Sequence, residues 1–402
     1  MALTGIELFA GGGGLLLGSA KAGVQHLAAA EWNRWACTTI RENVQADFPL
    51  VRNLSVIEGD VQKINWDQEF PPGSVDVLTG GPPCQPFSLG GKARSADDSR
   101  DMFPATTAVI GALRPKAFVI ENVRGLTRAS FADYFEFIKL RLQHPEIRSQ
   151  RNETWREHYA RLQREHTSVT ADLSYKLVTT VVDAADYGVP QRRHRVFMVG
   201  FRSDIDAEWS FPDPTHSAAA LLRDQIQGDY WERHKVKASE RAPVRTAQKE
   251  DDGKKPWVTV RDALHDLPEP TPSGRSSRWL DHKFQPGAKA YPGHTGSLMD
   301  EPSKALKAGV HGVPGGENMI RFHDGKVRYY SVREAARIQT FPDDYALHGA
   351  WTEAMRQIGN AVPVRLAEVV MSSVVEHLEL DHSRKSKADA AQRRSAKKMV
   401  QL

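Results

Sequence analysis

Residues 79–88 read TGGPPCQPFS, and this stretch restricts what the chain can fold into more than any other. The run before it, Ser74–Leu78, has the composition of a short strand. Gly80-Gly81 lets the backbone turn without a Cβ penalty. Pro82-Pro83 then fixes φ at two successive positions and removes two donors, so neither strand nor helix continues. Cys84 is therefore predicted on a stiff loop just past a strand's carboxyl end, where open α/β sheets bind ligands. The loop alone leaves two readings of the thiol. It is either a small buried hydrophobe or a reactive group, which needs exposure and an electropositive surrounding.

The first half of the chain supplies the other strands of such a sheet. Gly5–Ala10 is an apolar strand that runs into Gly11–Gly14 and then into the helical pattern LLLGSAKAG. A glycine turn of this kind lets backbone N–H groups and a helix N-terminus approach a ligand. The dinucleotide fingerprint fails, because its third glycine would fall on Leu16, and this disfavours a nicotinamide enzyme. A second strand, His26–Ala30, ends at Glu31, 20 residues past Gly11, where a carboxylate can accept hydrogen bonds from a ribose diol. A third, Ser55–Glu58, ends at Gly59-Asp60, and a later one, Lys116–Ile120, at Glu121-Asn122-Val123. Glu31 and Asp60 also read as caps of the helices that follow.

Helical pattern covers Asp101–Leu113 and Phe131–Gln143, and the highly charged run Glu146–Glu165 reads as a solvent-exposed helical excursion without catalytic content. Strands Tyr175–Val182 and Val196–Phe201 flank QRRHR at 191–195. In an extended segment Gln191, Arg193 and Arg195 share one face, which converges three donors on one site; the competing reading is a solvated cationic edge. From about 202 to 328 periodicity weakens, and basic side chains such as Lys235, Arg241 and Lys254 interleave with Trp231, Trp257 and Trp279. That mixture suits a loop-rich surface meeting phosphates and bases. Helical pattern returns at Ser331–Gln339 and Val364–Glu379, and the Lys-, Arg-, Ser- and Ala-rich tail from 381 to 402 is predicted to be disordered while attracting polyanions.

Bulk properties narrow the class. The formal charge of +4 permits a nucleic-acid partner without demanding one. Two cysteines, Cys37 and Cys84, argue against a disulfide framework or a thiolate zinc site, and the histidines lack ligand spacing, so no metal is expected. No run approaches the apolar length needed to cross a bilayer and no signal peptide is evident, so the expected location is the cytoplasm.

Taken in order, FAGGGG, Glu31, GGPPCQPFS, ENV, QRRHR, REAARIQTFPD and QIGNAVP resemble the DNA (cytosine-5) methyltransferases over residues 4–202 and 328–378. The resemblance implies a doubly wound α/β, Rossmann-like methyltransferase sheet with a second, smaller, loop-rich DNA-recognition domain. The implied division is 1–202 plus 328–380 for catalysis and cofactor, 203–327 for target recognition, and the tail. It implies Cys84 as nucleophile, Glu121 as the carboxyl group on the cytosine, and Arg193 and Arg195 as the motif that holds the base. The cofactor implied is S-adenosylmethionine, contacted by Phe9, Gly11, Gly13, Glu31, Trp32, Asp60 and Pro83, with Asn360 and Val362 returning from the C-terminal end. Double-stranded DNA is the expected partner, with a restriction endonuclease paired in function, and the expected assembly is a monomer. Two departures stand out: Glu7 where the family usually has Asp, and Met102 where it usually has Leu near the cofactor.

The chemistry fits those residue types. Cytosine C5 is too poor a nucleophile to take a methyl group directly, so a thiolate must first add at C6 to make an enamine. Addition pushes electron density onto N3 and O2, which a protonated carboxyl and a guanidinium can meet. Within a duplex the base must first be flipped out of the stack. A cysteine hydrolase leaves the glycine turn and the strand-tip acids without a role. A transfer-RNA relative usually has a different cysteine loop, and a catalytically dead DNA binder has no need of Cys84, Glu121 and Arg195 together.

Overall fold

The computed structural model describes residues 2–83, 101–165, 172–241, 251–273, 278–308 and 318–400. Seven strands make one sheet: β1 (Leu3–Leu8), β2 (Val24–Glu31), β3 (Ser55–Glu58), β4 (Val77–Gly80), β5 (Ala117–Val123), β6 (Tyr175–Asp183) and β8 (His194–Arg202), with the two-residue β7 (Gln191–Arg192) outside it. Their order is β3-β2-β1-β4-β5-β8-β6. Strands β1 to β5 pair in parallel, while β8 lies antiparallel between β5 and β6. The carboxyl ends of β1–β5 and the start of β8 therefore open on one edge. Strand order reverses between β1 and β4, which makes the crevice beside them the natural ligand site of a doubly wound sheet.

Helices cover both faces, which is why the strands read as nearly continuous apolar runs. Along β5, Phe118 and Ile120 pack with α4 (Phe103–Leu113) and α5 (Ala132–Gln143), whereas Ala117 and Val119 face α1 (Gly14–Lys21) and α12 (Val364–Val400). Helix α2 (Arg34–Gln45) and the short α3 (Trp66–Glu69) complete the early crossovers. Asn33 caps α2 by accepting from the Trp35 and Ala36 N–H groups.

The charged excursion is helical, as α6 (Trp155–Glu165), but it is not simply solvent-exposed: His158 and Leu162 are buried, and Trp155 packs on the central core. Its charges fall on one face and its rings on the other, a division that charge content alone hides.

The segment after β8 carries α7 (Ala218–Gln227), α8 (Tyr230–Arg233) and α9 (Val260–Leu264). Its own small core joins Leu221, Tyr230, Trp231 and Val236 to Trp257. It is tied back at Ser303–Lys304, a strand that pairs with β7. Helices α10 (Val332–Ile338) and α11 (Trp351–Asn360) then return the chain to the glycine turn.

Two expectations about the C-terminus need correction. The tail is helix, not disorder: α12 continues to Val400. A helix already nucleated by its buried first half propagates cheaply through Ala, Lys and Arg. It is also tacked down, since Asp381 accepts the Asp206 N–H and Arg384 pairs with Asp206 at 2.8 Å. By length and composition the helical stretch Trp351–Ala388 is apolar enough to cross a membrane, contrary to the sequence reading, but 67% of its apolar window is buried inside the protein. Its Leu366, Val370, Met371 and Val374 are core residues against the sheet.

Candidate active site

The glycine turn is built by close approach from behind. A Cβ on Gly14 would stand 2.2 Å from the Val362 carbonyl oxygen, and one on Gly18 would stand 2.4 Å from the Ala367 Cβ, so α1 and the start of α12 lie backbone to backbone. Tyr345 reaches the same turn, its hydroxyl donating to the Gly12 carbonyl at 3.1 Å. Gly11 differs: it has φ +54° and no atom within 4 Å of where a Cβ would be. Phe9 also adopts a left-handed conformation, φ 56°, uncommon for a bulky residue and a marker of a functional turn. Val362, buried behind the turn, thus meets a residue more than 300 positions earlier, and Asn360 is exposed at the end of α11 two residues before it.

Glu31 fastens this edge. One carboxylate oxygen accepts the Gly11 N–H at 2.8 Å, and the other accepts the N–H groups of Trp32 and Asn33 at 2.9 and 2.8 Å. It is not a helix cap, because Asn33 performs that function for α2. Burial raises its pKa while the three N–H groups oppose the shift. Beside it the Trp32 indole is bare, with 75% of its surface exposed. Asp60 does cap the turn that follows β3, accepting the Gln62 N–H at 3.0 Å. Gly13, at φ 91°, completes the turn in the left-handed region that glycine adopts freely.

Two strands away, Val123 on β5 lies opposite Arg195 on β8, so Glu121 and Arg195 are diagonal neighbours on one face. Arg195 Nε sits 2.6 Å from Glu121 Oε1, an ion pair whose N–H is not aimed along the contact, and both side chains are nearly buried. The other Glu121 oxygen would be 3.3 Å from a Cβ on Gly81, which puts the carboxyl group against the turn that leads to Cys84. Burial pushes the Glu121 pKa up, opposed by the Arg195 and Arg193 charges, with burial prevailing. Asn122 holds the same turn from the opposite face by donating to the Pro82 carbonyl at 3.1 Å. Pro83 is half-buried beside it, and Cys84 itself lies outside the described residues. The other thiol is no rival: burial pushes Cys37 up to about 12.

Arg193 departs from the sequence reading. Gln191 and Arg193 are buried side by side with Arg192 exposed between them, but their donors are spent elsewhere than those of Arg195, which pairs with Glu121. Gln191 accepts the Leu306 N–H and donates to Gln339, while Arg193 donates to the carbonyls of Leu306 and Gly359 at 2.9 and 2.6 Å. A buried guanidinium needs several acceptors, and backbone carbonyls of two converging segments supply them. Only Arg195 reaches Glu121, and Arg193 acts on it at a distance through charge.

A family model described as C-5 cytosine-specific DNA methylase matches residues 3–145 and 155–376. The chain belongs to this family. The Type II methyltransferase M.NgoMIV of Neisseria gonorrhoeae is 30% identical to this methylase over 389 residues, covering 95% of this chain and 100% of that one. M.Eco47II of Escherichia coli is 32% identical over 390 residues, 94% of this chain and 79% of that one. Among solved structures, a DNMT2 variant from Spodoptera frugiperda superposes with a TM-score of 0.54 at 16% identity, covering 94% and 99% of the two chains, and this supports the fold alone.

The methylase uses S-adenosylmethionine, and its strand-tip residues suit that molecule. Gly11 leaves space a Cβ would take, and the exposed Trp32 offers a flat face to a purine. Glu31 and Asp60 are acceptors on the same edge. Asn122 and Tyr345, which fix the two loops, escaped sequence reasoning; Glu7, singled out there, is a buried carboxyl that accepts the Thr79 hydroxyl at 2.8 Å. The acid in ENV gave a signal, but its neighbour's amide and a tyrosine 333 positions from Gly12 gave none.

Proposed function

We propose that this methylase transfers a methyl group to C5 of a flipped cytosine within a specific duplex sequence and that it protects DNA from a cognate restriction endonuclease. The observation that carries the reading is the Glu121–Arg195 pair at the tips of β5 and β8, set against Gly81 in the turn that leads to Cys84. Type II methyltransferases among its relatives support the protective role. The reading places the protein in the compartment that holds DNA, acting as a monomer.

Cys84 adds to C6 of the cytosine, and once C5 carries the methyl group, loss of the C5 proton and departure of the Cys84 sulfur restore the ring. Glu121, which burial makes reluctant to lose its proton, donates at N3, and the Arg195 guanidinium stabilises the charge on O2. When bound, S-adenosylmethionine supplies an electrophilic methyl on a sulfonium. Phe9, Gly11, Gly13, Glu31, Trp32, Asp60, Pro83, Asn360 and Val362 would hold it, with Glu31 as acceptor for its ribose diol. Arg193 keeps β7 against the Leu306 and Gly359 segments and so positions Arg195. Residues 203–327 choose the target, since loops can read the distinct donor and acceptor pattern of each base pair in the major groove.

Bisulfite sequencing of DNA from cells expressing the protein tests activity and target together. Methylation at one recurring sequence is expected, with none in cells expressing Cys84→Ser. A duplex with 5-fluorocytosine at that position should trap the wild-type protein covalently and not the variant. A variant that still methylates would remove Cys84 from the chemistry.

A further inference from the structure

The charged segment from 146 to 165 has no role in the reading above, and its first part, 146–154, falls in the gap between the two blocks of the family match. Its construction is nonetheless specific. Arg161 makes a two-pronged pair with Glu153, both contacts at 2.8 Å, and also donates to the Arg148 carbonyl. Thr154 and Glu157 exchange hydrogen bonds at the start of α6, the pattern of a capping box. His158 bonds the Ile147 carbonyl at 2.9 Å. These contacts fold the segment back on itself and present one apolar face, Trp155, His158 and Tyr159, to Phe137 on α5.

That face leads inward. Trp155 stands edge-on to Tyr134, with ring centroids 5.2 Å apart and planes at 85°. The Tyr134 hydroxyl donates to Asp101 Oδ2, and both residues are buried. The other Asp101 oxygen accepts the Phe103 N–H at 3.0 Å, which pins the first turn of α4. Arg141, on the same helix as Tyr134, lies close enough for its charge to act on Asp101 and Tyr134. The intervening residue, Met102, receives the Gln62 side-chain N–H on its sulfur at 3.1 Å, and the Gln62 backbone N–H is the one that Asp60 accepts. A continuous path thus runs from Trp155 through Tyr134, Asp101 and Met102 to Gln62 and Asp60 on the strand-tip edge. Every link is a hydrogen bond, a ring contact or one peptide unit.

We propose that α6 is a brace for the cofactor wall, and that Asp101 and Tyr134 are positioning residues that set Met102 against the Asp60–Gln62 turn. The inference rests on the reading of Asp60 as a cofactor contact. A hydroxyl–carboxylate hydrogen bond shielded from water is strong and directional, so it fixes the start of α4 more firmly than packing alone. Trp155 keeps the Tyr134 ring from swinging away.

Calorimetry of the full-length protein with S-adenosylhomocysteine tests this without relying on turnover. Tyr134→Phe removes one oxygen and leaves the ring packed; it should raise Kd about tenfold or more, the size expected for a lost hydrogen bond to a charged group. KM for S-adenosylmethionine should rise in step while kcat at saturation falls by less than twofold. Asp101→Asn, which still accepts from Phe103 and can donate to the Tyr134 oxygen, should retain affinity that Asp101→Ala loses. Trp155→Ala should resemble Tyr134→Phe. Asp60→Ala is the reference. If it weakens binding while Tyr134→Phe and Asp101→Ala bind as the wild type does, the brace is overturned and the cofactor reading stands. If Asp60→Ala binds as the wild type does, both are overturned. A Tyr134→Phe protein with a lowered Tm and an unchanged Kd would show a structural role only and would also overturn the brace.

Discussion

Two glycines three positions apart should fail in different ways when each is changed to alanine. A Cβ on Gly14 would lie 2.2 Å from the Val362 carbonyl oxygen, 3.0 Å from the Ala361 Cβ and 3.3 Å from the Val362 carbonyl carbon. Ordinary contact begins near 3.4 Å, so the 361–363 backbone would have to retreat by about an ångström, and main chain gives way less readily than a flexible side chain. Overpacking typically costs about 1–3 kcal/mol and occasionally more, and a methyl driven this far into main chain belongs at or above the top of that range, while alanine's helix propensity returns little at the first position of a helix. Gly11→Ala meets no atom within 4 Å, and its cost is the left-handed backbone at φ +54°, about 1–2 kcal/mol. Its added methyl would occupy the open side of the turn assigned to the cofactor. Urea denaturation should therefore show the larger loss for Gly14→Ala, and calorimetry with S-adenosylhomocysteine the larger loss for Gly11→Ala, tenfold or more in Kd. Wild-type affinity in Gly11→Ala would mean that the open side is not the ligand side. Wild-type stability in Gly14→Ala would refute the backbone-to-backbone packing of α1 on α12.

Burial raises the Glu7 carboxyl to about 8, opposed by its bonds with Thr79 and the Leu16 backbone, and the nearby Glu31 adds to the rise. A raised carboxyl stabilises the fold fully below the unfolded value near 4.5 and loses that contribution as pH climbs through about 8. Glu7→Gln, whose amide can still pair with a rotated Thr79 hydroxyl, should therefore gain on the wild type between those values by up to about 1.4 kcal/mol per pH unit and then level off; parallel stability curves at pH 5 and pH 8 would count against it. Arg193→Lys replaces a fork that reaches both Leu306 and Gly359 with a single ammonium, and thermal melts should show a loss of about 1–3 kcal/mol while the trapped 5-fluorocytosine adduct still forms. Failure of the adduct at unchanged stability would return Arg193 to direct contact with the base.

The strands were readable from the sequence because each is a short apolar run bounded by glycine, proline or an acid, and local pattern suffices for that. The strand-tip acids were readable for the same reason: Glu31, Asp60 and Glu121 each follow directly on a β-rich run. What local pattern cannot supply is the partner. Glu31 and Asp60 allowed the same two readings, and only the positions of Asn33, Gly11 and Gln62 separate them, with Glu31 fastening two loops and Asp60 capping a turn. Alternation holds at Gln191 and Arg193, buried on either side of the exposed Arg192, but it cannot supply acceptors: Arg193 is taken up by the Leu306 and Gly359 carbonyls while Arg195 pairs with Glu121. The tail and the charged excursion were misjudged through composition: a charged helix reads as solvated whether or not its minority of rings is buried.

The glycine turn shows why such residues resist reading from one end of the chain. Gly12, Gly13, Gly14 and Gly18 are explained by Gln357, Tyr345, Val362 and Ala367, all beyond residue 340. A tetraglycine run looks like provision for a ligand, yet here only Gly11 has open space beside it, while Gly12 to Gly14 admit other parts of the protein. The turn assigned to the cofactor is consequently packed directly on the C-terminal segment. Cofactor affinity and the packing of α1 on α12 should then be coupled: a ligand that binds only the assembled edge stabilises that packing by mass action. The stabilisation of the wild type by saturating S-adenosylhomocysteine should be reduced in Gly14→Ala even though Gly14 touches no ligand, because part of the binding energy goes to restoring the edge.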